Sequence, residues 1–285
     1  MRLCRFGEHA AERPGLILAD GRIGDLSGIV EDLTPHTLAI VRGVDPANLP
    51  VIEGKPRLGI PLRGIGKIVA AGLNYADHAR ESNLPVPTEP VLFLKASSSL
   101  SGPYDDVVLP QGSTHSDWEI ELGVIIGKAC RYVDPANAAD HIAGFLIAND
   151  ISERFDQKQR GSQWSKGKSH DSFCPIGPWL VTPDEVPEPQ NLAMRLDVNG
   201  ERMQTGNTGT MIFPVAELIA YISRFMTLCP GDLIITGTPP GVGEGKKPDA
   251  IFLQAGDVME LAIAGLGVQS QRVTAWHDRS PGGSV

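Results

Sequence analysis

Three carboxylates define the chemistry open to this chain. Glu119 and Glu121 stand two apart in "HSDWEIELGVIIGK", and Asp150 ends a second apolar run, "GFLIAND". Alternate residues of a strand point the same way, so Glu119 and Glu121 share one face and Ile120 takes the other. Side-by-side carboxylates repel unless a cation or a proton lies between them. A hard divalent ion such as Mg²⁺ or Mn²⁺ prefers oxygen ligands and resolves that conflict. An E-x-E pair by itself reads first as a solvated strand face. Asp150, at the end of another strand-like segment, turns the reading toward a three-carboxylate cation site.

Further polar groups are spaced to serve such a site. Asp150 is placed to end a strand and to cap the helical segment "ISERFDQKQ", with Arg154 and Gln157 on roughly the same face four and seven residues on. That sets a guanidinium and an amide beside a cation-binding carboxylate; the alternative is a solvated helix face. In "GLNYADHARES", Asn74 and Asp77 resemble an N-capping pair. His78 and Glu81 follow three apart, where a carboxylate can orient an imidazole as a general base. The alternative is an exposed His–Glu pair, which is worth little. The proline-spaced "SNLPVPTEP" suits an open loop or a moving lid. "QWSKGKSHDSFCPIGPWLVT" reads as a Gly/Ser loop carrying Lys166, Lys168, His170 and Asp171 into an apolar strand. A lysine there either meets a carboxylate or an enolate, or is solvated. "TGTPPGVG" offers the Thr236 and Thr238 hydroxyls and backbone N–H groups as a carboxylate nest. It lacks the lysine of a phosphate loop and no helix start follows, which excludes nucleotide binding.

The elements that must position these groups are mainly strands. With 32 Gly and 23 Pro in 285 residues, turns are frequent, which favours a strand-rich α+β architecture over a helical bundle. Residues 1–62 read as a small N-terminal α+β domain: a hairpin "GLILADGRIGDLS" turning at Asp20-Gly21, a short helical segment "TPHTLAIVRGV", and a Pro/Gly connector. Residues 63–285 read as the catalytic domain. Its clearest helix is "FPVAELIAYISRFMTL", with Val215, Leu218, Ile219, Ile222 and Phe225 or Met226 at helical spacing. The strand "DLIITGTP" follows it, and "DVMELAIAGLGVQSQRVTAW" reads as a closing hairpin.

A net charge of −9 without a basic run argues against nucleic acid and anionic membrane as partners. An anionic substrate would then need local positive charge from a metal or placed Lys and Arg. The four cysteines show no C-x-x-C spacing, and neither a signal peptide nor an apolar run of spanning length is evident, so a reduced, cytoplasmic protein is expected.

Taken together, "GLNYADHARES", "EPVLFLKASSSLSGP", "DWEIELGVIIGK", "GFLIANDISERFDQ", "KGKSHDSFCPIGPWL", "NGERMQTGNTGTMIFPVAELIAYIS" and "PGDLIITGTPPGVG" resemble the fumarylacetoacetate hydrolase family. They run in the family's order over about residues 66 to 245. The resemblance implies a mixed β-roll or sandwich catalytic domain, a homodimer, and a Mg²⁺ or Mn²⁺ ion on Glu119, Glu121 and Asp150. It implies that His78 and Glu81 form a lid dyad that activates water. Arg154, Gln157, Lys168 and Thr238 then hold the 2-oxo acid end of a small anionic substrate, with Lys168 also offsetting charge during catalysis. The implied reaction is hydrolysis of the C3–C4 bond of a 2,4-diketo acid, with a pyruvate enolate leaving under Lewis-acid stabilisation. The likeness is greatest to the subgroup acting on 2,4-diketo-3-deoxy sugar acids such as 2,4-diketo-3-deoxy-L-rhamnonate, some look-alikes of which carry a ureidoglycolate lyase label. No residue argues for ureido chemistry. Two other readings remain: an isomerase or decarboxylase of a 2-oxo or unsaturated dioic acid in the same family, and a non-catalytic metal-binding relative. One departure from the family pattern is "GKSHDS", where Ser169 and His170 replace small or apolar residues; His170 either tunes specificity or is a surface residue.

Overall fold

The computed structural model describes residues 1–81 and 85–276, and of residues 78 and 79 the backbone alone. Two sheets dominate. The larger one runs from edge to edge through Val51–Ile52, Ile23–Asp25, Arg13–Ile17, Arg2–Phe6, Cys174–Val181, Ile142–Asn149, Ile120–Ile126, Leu233–Ile235, Ile68–Gly72 and Val91–Lys95. The smaller one is built from Glu201–Asn207, Ala193–Val198, Val258–Ile263, Gly267–Thr274 and Val107–Val108. The architecture is strand-rich α+β, as the turn-forming composition leads one to expect. The hairpin turning near Asp20-Gly21, the helix Val215–Ser223 and the closing hairpin Val258–Thr274 all form where the sequence places them.

The central strand Ile120–Ile126 is buried along its whole length. Ile120, Leu122, Val124 and Ile126 pack into a core with Leu196 and Leu261 of the smaller sheet and with Leu218 and Ile222 of the helix. On the other face, Ile125 joins a second core with Leu33, Leu38, Val41 and Leu62. Both faces being covered, the strand reads as a continuous apolar run interrupted by few polar residues. Those few are the informative ones. The first strands of the chain continue the same larger sheet, through the pairing of Arg2 with Val181.

Three local expectations are corrected. Asp150 does not cap the helix after it: the chain stays extended while Ser152–Glu153 pairs with Ser116–Asp117. The helix Arg154–Gln159 is capped by the Glu153 carboxylate, which accepts the Phe155 N–H at 3.3 Å. Asn74 does not cap the helix Ala76–Glu81. Its amide donates to the Phe213 and Thr236 carbonyls and accepts the Phe213 N–H, so it ties two loops together instead. The supposed Gly/Ser loop around Lys166 and Lys168 contains a short helix, Ser165–Lys168, packed on the Arg154 helix. Gly167 makes that packing feasible, because a Cβ there would lie 2.3 Å from the Glu153 carbonyl oxygen.

Candidate active site

Strand register brings the three carboxylates together. Ile120 pairs with Asn149 and Glu121 with Ala148, and the Asp150 N–H donates to the Glu119 carbonyl at 2.9 Å. Asp150 therefore stands directly across from Glu119, on the face that Glu121 also uses. Oxygens of all three buried side chains lie within 4.8 Å of one another. The strand Leu233–Ile235 pairs on the other side of Ile120–Ile126 and delivers the Gly237 N–H to Glu121 at 2.7 Å.

Three buried cations interleave with the acids. The Lys168 ammonium lies 2.6 Å from both Glu119 and Asp150. Lys95, fully buried, donates to the other Asp150 oxygen at 2.5 Å and to the Ile151 carbonyl. Arg154 donates to Asp117 at 2.8 Å through Nε, lies 2.8 Å from Glu119 through Nη2, and donates to Gln157 through Nη1. Burial lowers the proton affinity of Lys168, but Asp150 and Glu119 outweigh it and hold the ammonium charged above its usual range. Arg154 is held charged in the same way by Asp117 and Glu119.

Glu121 is the exception. Among the described residues it has no ion pair, and burial, then Asp150 and Glu119, push its carboxyl well above the usual carboxylate range. Four buried carboxylates (Asp117, Glu119, Glu121 and Asp150) thus face three buried cations, so one carboxyl of this all-oxygen cluster needs a proton or a further cation, and Glu121 is that one. That donor set fits a hard divalent cation.

The cluster forms the floor of a narrow pocket of about 40 Å³, with walls that include Leu73, Phe93, Trp164 and Thr238. Gln157 lies on the wall beside Arg154. Thr238 also lines it, with its hydroxyl donating to the Ile120 carbonyl and accepting from Gln204. Thr236 likewise donates its hydroxyl inward, to the Leu122 carbonyl, so the two threonines brace the central strand rather than form an open nest. The Glu81 carboxylate accepts the Gly241 N–H at 3.0 Å, joining its helix to the loop after Leu233–Ile235. The side chain of His78 and residues 82–84 of the expected lid lie outside the described residues. His170 is absent from the pocket wall. It sits 3.1 Å from Asp156 and lines a separate concavity with Gln111 and Trp276.

Sequence reasoning missed Lys95, Asp117 and Glu244. Lys95 shares a strand face with buried Phe93, an alternation that marks it as inward-facing. Asp117 accepts Arg154 and the N–H groups of Gly243 and Glu244, so it fixes both the guanidinium and the pocket loop. A carboxylate next to a buried Trp118 is the available signal there.

Comparison with known proteins agrees with this geometry. Residues 67–274 match the family model described as fumarylacetoacetate (FAA) hydrolase C-terminal. A 2,4-didehydro-3-deoxy-L-rhamnonate hydrolase of Sphingomonas sp. (strain SKA58) is 66% identical over 276 residues, covering 97% of each chain. The solved fumarylacetoacetate hydrolase of Exiguobacterium antarcticum superposes with a TM-score of 0.87 at 38% identity, covering 96% of this chain and 99% of its own. Maleylpyruvate hydrolase of Sphingobium sp. SYK-6 superposes with a TM-score of 0.79 at 32% identity, covering 96% and 100%. The chain belongs to the fumarylacetoacetate hydrolase family.

Proposed function

We propose that this protein is a divalent-metal-dependent hydrolase that cleaves the C3–C4 bond of a 2,4-diketo acid, with 2,4-diketo-3-deoxy-L-rhamnonate as the preferred candidate and pyruvate and lactate as its products. The observation that carries the reading is the buried Glu119–Glu121–Asp150 cluster, with its surplus negative charge and with Lys168 and Arg154 beside it. The 66% identical relative named for that sugar acid supports the substrate. Glu119, Glu121 and Asp150 would hold Mg²⁺ or Mn²⁺. A homodimer, which rests on the family resemblance, belongs to the same proposal, as do a cytoplasmic location and the division into a domain of residues 1–62 and a catalytic domain of residues 63–285, which rest on the sequence pattern.

When bound, the cation supplies Lewis-acid stabilisation of charge developing on the substrate oxygens. The residues of the chain account for the other steps. Lys168 and Arg154, held charged by their carboxylate partners, offer fixed positive charge to the 2-oxo acid end. The Gln157 oxygen is taken by Arg154, which leaves its NH₂ to donate to a substrate oxygen. Glu81 is anchored on the Gly241 N–H, and the family resemblance assigns it the orienting of His78, which would remove a proton from the water attacking C4. The C3–C4 electron pair then moves onto the pyruvate fragment as its enolate, which takes up a proton at C3, and the C4 carbonyl leaves as a carboxylic acid.

The test is a panel of acylpyruvates, oxaloacetate and diketo sugar acids with Mg²⁺ or Mn²⁺, read by product mass. Pyruvate with a second carboxylic or hydroxy acid is the expected result. Release of CO₂ without a second acid would overturn the hydrolase reading in favour of a decarboxylase.

A further inference from the structure

The pocket floor is buried, but its rim carries two partly exposed charges, Glu244 and Lys158. Lys158 sits one turn along the helix from Arg154. The Glu244 backbone is fixed by its N–H bond to Asp117 at 3.1 Å, independently of its side chain. The carboxylate accepts Lys158 Nζ at 2.5 Å and lies 3.6 Å from Arg154 Nε, both through Oε2. Among the described residues Oε1 carries no hydrogen bond, and the same pocket is also lined by the apolar Leu73, Phe93 and Trp164. A molecule whose acid end occupies the floor of so narrow a pocket has its remaining atoms directed past this rim.

We propose that Glu244, paired with Lys158, selects substrates by the charge of that tail: it admits a neutral, hydroxyl-bearing tail and turns away a second carboxylate. The inference rests on the floor holding the 2-oxo acid end, as in the proposed function. A tail hydroxyl can donate to Glu244 Oε1, a charge-assisted hydrogen bond. A tail carboxylate meets Glu244 as a like charge, and Lys158 is already neutralised by the same group. Glu244 is therefore a specificity-determining residue with no part in the bond-breaking step.

The experiment compares kcat/KM for two acylpyruvates of equal length, one ending in a hydroxylated alkyl group and the other in a carboxylate, with saturating Mg²⁺. Wild-type enzyme is expected to prefer the neutral tail, and E244Q to raise the acid-to-neutral ratio by about tenfold, equal to about 1.4 kcal/mol. K158M, which removes the nearer of the two cations beside Glu244, is expected to lower the ratio. Raising ionic strength should narrow the wild-type preference, because the rim is partly solvated. A general structural defect would lower both kcat/KM values together and leave the ratio unchanged. A ratio within about twofold of wild type in E244Q overturns the assignment of Glu244 while leaving hydrolysis standing. A wild-type enzyme that cleaves neither acylpyruvate overturns the functional reading and this inference with it.

Discussion

Glu121→Gln should produce a protein that is more stable than wild type without metal and blind to metal when it is added. Glu121 is buried, lies within 4.8 Å of two other carboxylates, and has no ion pair among the described residues. With Glu121 ionised, each like-charge pair at the outer separation of 4.8 Å and an effective dielectric constant of about 20 costs about 3.5 kcal/mol. The two pairs set the scale of the repulsion at about 7 kcal/mol, and uptake of a proton relieves part of it. Lys168, bonded to both Glu119 and Asp150, cancels much of that repulsion. What remains is about 1–3 kcal/mol, the usual cost of one uncompensated buried group. Glutamine keeps the volume and an oxygen for the Gly237 N–H while losing the charge. For a chain of this size about 1 kcal/mol corresponds to roughly 2 °C, so E121Q in a chelator should melt roughly 2–6 °C above wild type. Wild-type protein in Mn²⁺ at a hundred times its dissociation constant should gain about 2.7 kcal/mol, or roughly 5 °C, and E121Q should gain almost nothing. Differential scanning fluorimetry across a Mn²⁺ titration reads both effects. An E121Q variant that melts below wild type in a chelator would refute the charge argument. One that keeps the metal-dependent rise would refute the ligand assignment.

The remaining expectations concern the groups around that cluster. Lys95→Met strips the buried ammonium from one Asp150 oxygen while Lys168 keeps the other, and should cost about 1–3 kcal/mol in urea unfolding, whereas no loss would mean that Lys168 alone satisfies Asp150. Gly167→Ala places a methyl against the Glu153 carbonyl and the Gln157 backbone, so it should separate the two short helices and lower kcat/KM by at least about tenfold, with the melting temperature reporting the accompanying strain. Native protein at pH 8 should show one readily titrated thiol with Ellman's reagent, from exposed Cys229. Cys4 and Cys174, whose thiols burial pushes up to about 12, should react only on unfolding.

How much of this was legible in the sequence depended on whether the deciding contact was local. Glu119 and Glu121 share a face because a strand repeats every two residues, a relation contained in three consecutive letters. Asp150 joins them only through the register that sets Ile120 opposite Asn149, which a sequence pattern does not specify across a long connector. The same limit explains the misplaced helix start. Asp150 had the right residue type for a cap, but pairing of Ser152–Glu153 with Ser116–Asp117 keeps the backbone extended for three further residues. Asn74 failed as a cap for a similar reason, since Phe213 and Thr236, remote in sequence, offered its amide better partners.

Buried charge was the least legible feature, and the arrangement of ions suggests why it matters. In "VLFLK" only the alternation with Phe93 marks Lys95 as inward-facing, and in "SKGKS" nothing local separates burial from solvation, so Lys95 was overlooked and Lys168 left two readings open. In the fold the two ammonium groups take opposite oxygens of Asp150, and Lys168 reaches on to Glu119. Arg154 takes the far oxygen of Glu119 and leans on Asp117. Each acid except Glu121 is thereby held in one orientation by a cation that is itself held by another acid. Taking so many charges from water is costly unless each is paired, and a fold that needed only stability would do better with apolar residues there. Among the described residues the chain instead leaves one carboxylate, Glu121, without a cationic partner at the centre of the network. The imbalance is the physical reason to assign the cluster a cation from solution, with its surrounding lysines and arginine serving the anion that follows.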